Sequence, residues 1–343
     1  MGWDIGGAHV KAAIINPSGK VVAVYQQPCP LWKGLDQLQG AVTRILEETT
    51  GTHDCHAITM TGELVDLFEN RKEGVKKIID TMTALLPQKR CLVFAGLEGF
   101  LETEQVEAGH YQAIASANWL ASASFAAQKV GSGLFVDIGS TTTDILLLND
   151  GKVLAQGYTD YYRLICRELV YTGIIRTAVM AVAQTARDRD QEIGVMAEYF
   201  ATMADVYRVT GELNELHDQC ETADGAEKTI TASARRLSRM IGSDFFPEEL
   251  PRWRQFAENI RAQQLQKIQR GFEFRIQNED FPKSKPVIGA GIGRFLVKQL
   301  AQWSGYSYLD FSDLFPDSAN QTGITAADCA PAVAVACLAR DFC

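Results

Sequence analysis

The chain has 343 residues, of which 46% are hydrophobic and 22% are charged, and its formal net charge is −9. A single hydrophobic core usually stops growing near ~250–300 residues, so this length predicts about two domains. The acidic balance, without a lysine and arginine stripe, argues against nucleic acid as the main partner. No apolar stretch reaches the ~18–20 residues of a membrane span, so we expect no membrane partner.

The eight cysteines are scattered along the chain and include no Cys-x-x-Cys pair. The first residues lead directly into a glycine turn, without the charged and apolar regions of a secretory signal. These features predict reduced thiols and a cytoplasmic location. We accordingly interpret Cys55, Cys91 and Cys166 as buried apolar residues without a nucleophilic role.

The N-terminal third alternates between strands and helices. Short apolar runs bounded by turn residues predict strands, and longer amphipathic runs predict helices. The predicted strands lie at residues 1–5, 10–15, 20–25, 56–61 and 91–95, and the predicted helices at 35–48, 73–86 and 112–130.

The strand pattern then restarts. Strands are predicted at residues 133–139, 143–148 and 152–157, and Asn149-Asp150-Gly151 is a hairpin signal between the last two. Because this order repeats that of the first 25 residues, it indicates an internal duplication. The rest of the chain is predicted as mostly helical over about 165–275, followed by a strand at 287–292, a helix at 294–303, a strand at 306–311 and a helix at 325–338.

We expect a first domain at 1–131 and a second at 132–321, the latter with a helical insertion at about 165–275. The helix at about 322–343 is expected to pack back on the first domain.

Two similar glycine-containing runs supply most of the candidate phosphate- and magnesium-binding residues. They are residues 4–11, DIGGAHVK, and residues 137–144, DIGSTTTD, and we call their bends the first glycine turn (residues 6–8) and the second glycine turn (residues 139–142). Glycine lets backbone approach an anion closely, and consecutive turn N–H groups form an anion-binding concavity. Strand-ending Asp4 and Asp137 are placed to hold Mg²⁺, which we expect to be through water because Mg²⁺ dehydrates reluctantly.

The predicted phosphate-binding groups come from these two runs and from a later loop, which we call the third glycine loop (residues 289–293). This loop follows a strand and leads into a helix, whose N-terminus carries partial positive charge. The phosphate-binding candidates are Gly6, Gly7, His9, Lys11, Gly139, Ser140, Thr141, Thr142, Thr143, Gly289, Gly291 and Gly293.

Together these motifs resemble the actin/sugar-kinase/Hsp70 superfamily, which implies an α/β fold of two ribonuclease-H-like domains, with mixed β-sheets flanked by helices around a central cleft. Residues 137–144 and residues 60–68, MTGELVDLF, are similar to the hydantoinase A/oxoprolinase branch. Residues 2–11, 63–66, 73–75, 168–173, 196–207 and 288–293 are similar to a narrower family. That family comprises tetrahydromethanopterin-linked one-carbon-transfer proteins, whose archaeal members are methanofuran-type aminomethylfuran–tyramine ether synthases.

The resemblance implies a transferase that displaces pyrophosphate from an aminomethylfuran-methyl diphosphate with a tyramine- or tyrosine-derived phenol oxygen. The implied catalytic residues are Asp4, Asp137, Asp144, Glu63 and Asp66. Glu63 or Asp66 would accept the phenol proton or bind the aminomethyl cation, and the sequence leaves this choice open. The expected partners are the two small substrates, with Mg²⁺ as cofactor, and a homo-oligomer is left open.

Two alternative functions remain open at this point. Ala8-His9 replaces the polar residue that many superfamily kinases carry after the glycine pair, which weakens the case for ATP as cofactor. The first alternative is an ATP-dependent hydantoinase-, oxoprolinase- or kinase-like enzyme. The second is a non-catalytic, actin-like nucleotide-binding scaffold.

Several further residues have both a structural and a functional interpretation. His9 either contacts the diphosphate or faces solvent at a hairpin tip. Arg163 and Arg176 are more readily explained as surface salt bridges than as diphosphate ligands, and residues 235–239, RRLSR, as a solvated helix face. A zinc site at residues 53–56, HDCH, is disfavoured because no fourth ligand is in reach of the pattern. Tyr158, Tyr161 and Tyr162 are left as core residues or as stacking partners for the substrate rings.

Overall fold

The structure is a computed structural model that describes residues 1–49, 53–278, 281–315 and 323–343. The chain forms two compact units. The first unit comprises Met1–Phe135, Leu146–Tyr162 and Leu309–Cys343, and the second comprises Val136–Ile145 and Arg163–Tyr308. The predicted domain limits stay a prediction, and the limit expected at 321–322 lies outside the described residues. Within the described ranges, every helix is too short or too polar to pass through a lipid bilayer.

Strands and helices alternate along most of the chain. The strands are β1 (Gly2–Ile5), β2 (His9–Ile15), β3 (Val21–Pro28), β4 (Cys55–Met60), β5 (Arg90–Phe94), β6 (Phe100–Glu102), β7 (Gly133–Ile138), β8 (Thr143–Asn149), β9 (Lys152–Val153), β10 (Leu169–Val170), β11 (Thr185–Asp188), β12 (Gln191–Gly194), β13 (Val287–Ala290) and β14 (Tyr308–Asp310). The α-helices are α1 (Leu35–Glu48), α2 (Arg71–Leu85), α3 (Tyr111–Ile114), α4 (Asn118–Val130), α5 (Asp160–Ile165), α6 (Val179–Val182), α7 (Met203–Thr210), α8 (Ile230–Arg239), α9 (Leu250–Asn278), α10 (Arg294–Trp303) and α11 (Ala330–Leu338).

Two mixed sheets organise these elements. The first has the order β3-β2-β1-β4-β5-β6, and the second has the order β10-β8-β7-β13-β14 with β9 paired to β8. In the first sheet β1 pairs with β2 antiparallel and with β4 parallel. This order places the ends of β1 and β4 side by side, and the first glycine turn and the segment after β4 both begin at that edge.

Helix burial follows from sequence pattern. On α1 the residues Leu38, Ala41, Val42 and Ile45 are buried, at the spacing that puts them on one helix face. Helix α11 is apolar on all sides and is buried accordingly. It lies so close to β1 that a Cβ on Gly2 would stand 2.1 Å from the carbonyl oxygen of Ala332.

Three predicted elements differ from the structure. The helix expected at 112–130 is interrupted, because Ser116 adopts a left-handed backbone (φ 51°) between α3 and α4. The strand expected at 152–157 is only the two-residue β9, after which the chain leaves the sheet and starts α5 at Asp160. The region at 165–275 is less helical than expected, since β11 and β12 form an antiparallel hairpin within it.

Arg236 corrects the expectation of a solvated basic helix face. Its side chain is completely buried on α8, and its Nε donates to Asp205 Oδ1 at 2.8 Å. Ser233 Oγ donates to the same carboxylate oxygen at 2.7 Å. A buried arginine requires such paired oxygens, because an unpaired buried charge would cost several kcal/mol. Arg235 and Arg239 of the same run are exposed, so the expectation holds for these two residues and fails for Arg236.

Cys55 and Cys343 form a disulfide across a sequence separation of 288 residues. The expectation of a buried, reduced Cys55 is therefore wrong. The remaining six cysteines are free thiols, and Cys91 is buried while Cys166 is partly exposed. Sequence spacing does not reveal such a pairing, because connectivity depends on the fold.

His56 on β4 is held as a neutral ring inside the first unit. Trp3 Nε1 donates to His56 Nδ1 at 3.0 Å, and His56 Nε2 lies 3.0 Å from the carbonyl oxygen of His53. Since Nδ1 accepts, Nε2 carries the proton and donates to that carbonyl. Burial lowers the pKa of His56 to about 4. Both ring nitrogens are thus occupied, and the described residues contain no group of three or more metal-ligating side chains.

His56 makes stability depend on pH. Its pKa is 6.5 in a model compound and about 4 in the fold, so between these values the unfolded chain binds a proton that the folded chain does not. We expect the free energy of unfolding to fall by up to ~3 kcal/mol as the pH is lowered through this window. Urea unfolding of the wild type and of His56→Gln should show a stability difference that shrinks as the pH falls.

A difference between wild type and His56→Gln that is the same at pH 7 and pH 4 would contradict the assignment.

Candidate functional site

The two glycine turns are closed by the same hydrogen bond. In each turn, the donor is the N–H of the glycine that follows the aspartate by two residues, and the acceptor is the carbonyl oxygen of the residue three positions after that glycine. Gly6 donates to His9 at 3.0 Å, and Gly139 donates to Thr142 at 2.9 Å. Both aspartates are largely buried at the ends of β1 and β7. The internal duplication predicted from the sequence is thus reproduced at the level of single backbone contacts.

In the first unit, Asp4 and Lys11 stand directly opposite each other on β1 and β2. Lys11 Nζ donates to the carbonyl oxygen of Asp328 at 2.6 Å, and Asn118 Nδ2 donates to Asp4 Oδ1 at 3.4 Å. An ammonium has three protons, so the Asp328 contact fixes its position and leaves donors for an anion. His9 is buried, so the solvent-facing interpretation of its side chain is wrong.

The segment after β4 packs directly on the first glycine turn. A Cβ on Gly62 would lie 3.1 Å from the carbonyl oxygen of Ile5 and 3.3 Å from the carbonyl carbon of Gly6. A Cβ on Gly7 would lie 2.7 Å from Val65 Cγ1. Glycine at both positions therefore permits the contact between the turn and the segment that carries the predicted acids.

Glu63 and Asp66, which the sequence could not separate, have different environments. Asp66 is exposed, whereas Glu63 is 1% exposed. Ser116 Oγ donates to Glu63 Oε1 at 2.7 Å, and within the described residues Glu63 Oε2 has no hydrogen-bond partner. Burial raises the pKa of Glu63, and the bond from Ser116 opposes this without cancelling it. Glu63 thus combines burial with the perturbed pKa that is typical of acid–base groups.

In the second unit, the second glycine turn presents donors on an open side. The carbonyl oxygens of Gly139 and Ser140 accept from the N–H groups of Ile174 and Ile175 at 3.0 and 3.1 Å. Across the described ranges, no protein acceptor faces the N–H groups of residues 140–142. Consecutive N–H groups of this kind form an anion-binding nest.

Two polar groups of the second run are engaged inside the protein. Thr143 is buried, and its hydroxyl donates to the carbonyl oxygen of Thr172 at 2.8 Å. Asp144 Oδ1 accepts from Arg163 at 2.7 Å, and Arg163 is 2% exposed. Arg163 is therefore a buried ion-pair partner, and the surface salt bridge expected for it is wrong. These contacts favour structural roles for Thr143 and Asp144.

The third glycine loop packs against the end of β7. Gly291 has a φ of 78°, and a Cβ there would lie 2.2 Å from Asp137 Oδ1. The N–H of Gly293 donates to the carbonyl oxygen of Ile138 at 2.8 Å. Gly289 differs, since a Cβ there would lie 2.6 Å from the ring of Tyr308, so this glycine serves packing. The structure thus brings Asp137, the second glycine turn and the third glycine loop together.

These groups fit a magnesium ion that is shared with phosphate. Mg²⁺ is commonly held by one or two carboxylates, with waters and substrate phosphates completing the octahedron. Asp137 supplies such a carboxylate, and Gly291 leaves the space beside its oxygen free of a side chain. In the first unit, Asp4 is the corresponding strand-ending carboxylate and is also largely buried.

Ser116 is the residue of this site that the sequence interpretation missed. It lies within a run of helix-forming residues, where we expected one continuous helix. The only available signal is the Ser116-Ala117-Asn118 order, since serine and asparagine favour helix starts. Tyr158, Tyr161 and Tyr162 are exposed, which excludes a core role; their stacking on substrate rings stays a prediction.

A sequence model of the hydantoinase/oxoprolinase family matches residues 54–332. The chain belongs to this family. The resemblance found in the sequence is thereby confirmed, and its narrower form is supported by two archaeal relatives, both named "(4-{4-[2-(gamma-L-glutamylamino)ethyl]phenoxymethyl}furan-2-yl)methanamine synthase". The protein of Methanocaldococcus jannaschii is 34% identical over 246 residues, which cover 71% of this chain and 72% of the relative.

The second relative, from Methanococcus vannielii, is 36% identical over 123 residues, which cover 36% of this chain and 55% of the relative. Among solved structures, nucleotide-free acetone carboxylase is similar at a TM-score of 0.50 and 12% identity, covering 96% of this chain and 51% of that chain. At this identity the likeness concerns the fold alone. The predicted α/β class with mixed β-sheets flanked by helices is confirmed.

Gly173 is expected to be indispensable for the second glycine turn. A Cβ on Gly173 would lie 2.4 Å from the N atom of Thr141 and 2.6 Å from the carbonyl oxygen of Gly139, so Gly173→Ala must displace the turn. We expect a loss of ~1–3 kcal/mol in unfolding free energy, the usual range for overpacking. Chemical denaturation measures this loss.

Gly194→Ala is the matched control, because a Cβ there would meet nothing within 4 Å and should change stability little. Equal stabilities of the two variants would contradict the close packing at Gly173.

Proposed function

We propose that the chain is a transferase of methanofuran- or methylofuran-type cofactor biosynthesis, which forms an alkyl–aryl ether with release of pyrophosphate. The observation that carries this proposal is the relative at 34% identity, which is named as the synthase of a phenoxymethyl-furan methanamine. The phenoxymethyl group in that name is an ether between a phenol oxygen and the CH₂ on a furan ring. The γ-glutamylaminoethyl substituent makes the phenol a tyramine derivative.

The proposed reaction is a displacement at the furan CH₂ carbon. The bond from this carbon to the diphosphate oxygen breaks, and its electron pair leaves with pyrophosphate. The phenol oxygen forms the new bond to the same carbon and releases its proton. The electron-rich furan stabilises positive charge at the CH₂ carbon, so the main demands on the protein are to neutralise the leaving group and to align the phenol.

The residues suited to the leaving pyrophosphate are those of the two glycine turns. In the second unit, the N–H groups of residues 140–142 and the hydroxyls of Ser140 and Thr141 would hold phosphate oxygens. In the first unit, the Lys11 ammonium would act on phosphate in the same way. The gap beside Gly139 suits this role, because a Cβ there would come no closer than 3.6 Å to protein atoms. Asp137 in the second unit and Asp4 in the first unit are each proposed as a Mg²⁺ ligand, and Mg²⁺ supplies positive charge to the leaving oxygens when bound.

A product assay tests the proposal. The purified chain is incubated with Mg²⁺, an aminomethylfuran-methyl diphosphate and either tyramine, γ-glutamyltyramine or tyrosine, and mass spectrometry follows the ether. We expect an ether with one of these phenols and one pyrophosphate released per ether. Asp137→Asn should lower kcat by ~10²–10³-fold, the usual effect of losing one group that stabilises developing charge.

Asp150→Asn is the control, because Asp150 lies exposed in the β8–β9 hairpin turn and should retain wild-type activity. If no phenol gives an ether while ATP is hydrolysed with Mg²⁺, the proposal fails in favour of an ATP-dependent enzyme.

A further inference from the structure

The carboxyl group of Glu63 has one satisfied oxygen and one orphaned oxygen inside the first unit. Oε1 accepts the hydroxyl proton of Ser116 at 2.7 Å, while Oε2 is buried and has no hydrogen-bond partner within the described residues. A buried polar atom without a partner is costly, and native structures contain few of them. This acceptor lies in the segment that packs on the first glycine turn, where a bound molecule can supply its donor.

The backbone around Glu63 is built to hold this carboxyl in one place. Gly62, the preceding residue, allows contact with the first glycine turn. Gly74 on α2 lies beneath Glu63, and a Cβ there would stand 2.4 Å from the carbonyl oxygen of Glu63 and 2.8 Å from its Cα. Gly62 and Gly74 thus allow the segment that carries Glu63 to pack between the first glycine turn and α2, which fixes the position of Glu63.

Ser116 adds a constraint from the opposite side. It reaches Glu63 from the break between α3 and α4, where its backbone has a φ of 51°. A residue with a Cβ adopts this left-handed conformation only at a cost in free energy. The fold keeps the interruption of the helix at Ser116 despite this cost. The consequence of the interruption is that the hydroxyl points at Oε1 and turns Oε2 away from it.

The charged neighbours of Glu63 are paired with each other. Arg71 on α2 and Asp160 at the start of α5 act on Glu63 with opposite signs. They pair with each other at 2.5 Å. Asp66, the other acid of the segment, is exposed and three residues away. Within the described residues, no cation thus forms an ion pair with Glu63.

We propose that Glu63 Oε2 accepts the proton of the attacking phenol, and that Ser116 is a positioning residue that orients this oxygen. The inference rests on the proposed ether-forming function and names the acid–base group of that same site. In the step, the phenol O–H bond breaks and its proton forms a bond to Oε2. The phenol oxygen uses its electron pair for the bond to carbon, and the electron pair of the carbon–oxygen bond leaves with pyrophosphate.

The role of Glu63 is tested first by steady-state kinetics. Glu63→Gln keeps the shape of the side chain and removes the base, so kcat should fall by ~10²–10⁴-fold while KM for both substrates changes little. The ascending, acidic limb of the pH–kcat profile should disappear. A rise of KM for the furan diphosphate with an unchanged kcat would overturn the proposal, because Glu63 would then bind the aminomethyl cation instead.

The role of Ser116 is tested by the pH profile of Ser116→Ala. This variant retains the Cβ and removes only the hydroxyl. In the wild type, the hydrogen bond from this hydroxyl stabilises the ionised carboxyl of Glu63. The acidic limb should therefore move to higher pH by roughly one unit. Ser122→Ala is the matched control, because Ser122 is buried on α4 and its hydroxyl donates to the Asn118 carbonyl oxygen at 3.4 Å, away from Glu63. Equal shifts, or no shift, in both variants would overturn the positioning role.

A measurement without turnover separates this inference from the proposed function. The carboxyl carbon of Glu63 is titrated by ¹³C NMR in glutamate-labelled protein, with Glu63→Gln used to assign its signal. A titration midpoint above that of an ordinary glutamate, raised further in Ser116→Ala and perturbed by tyramine alone, supports the inference even if no ether is formed. An ordinary midpoint that tyramine leaves unchanged overturns it, even if the ether is formed.

Discussion

The structure depends on how closely neighbouring backbone segments can pack around the glycine turns at the ends of β1 and β7. Gly6 and Gly139 close their turns by the same N–H bond, two residues after the strand-ending aspartates. Around these turns, a side chain at Gly62, Gly173 or Gly291 would intrude on the turn or on its aspartate. The absence of side chains at these three glycines is therefore a condition for the geometry of both turns.

This architecture reconciles the net charge of −9 with the proposed binding of an oligophosphate. Anion affinity does not require a basic surface when unpaired N–H groups, a lysine and a metal ion act at short range. The N–H groups of residues 140–142 are held in place by the bonds that Ile174 and Ile175 make to the turn carbonyls. Preorganised donors of this kind stabilise developing charge without rearrangement during the reaction.

Much of the fold and part of the site follow from the sequence, because they depend on local patterns. Helix α10 begins and ends where predicted, since its apolar spacing and the preceding glycine are local signals. The glycine turns were recognisable because each aspartate ends an apolar strand. By contrast, the burial of Arg236, the Ser116–Glu63 bond and the Cys55–Cys343 pair join distant segments. No periodicity encodes such contacts, so only the structure reveals them.

The distinction between Glu63 and Asp66 shows the same limit at the level of chemistry. Both acids lie in one short segment and look equivalent in the sequence. Burial by the first glycine turn and α2 makes one of them a group with a raised pKa and leaves the other in water. The choice of the acid–base group is thus a tertiary property, determined by which side of the segment faces the interior.

The central claim is that the glycine turns bind an oligophosphate through their backbone. A crystal structure with pyrophosphate and Mn²⁺, used as an anomalous substitute for Mg²⁺, tests it most directly. The account predicts phosphate oxygens within ~2.7–3.1 Å of the N–H groups of residues 140–142, with anomalous density beside Asp137. Pyrophosphate bound elsewhere, with these N–H groups facing only water, would contradict the account.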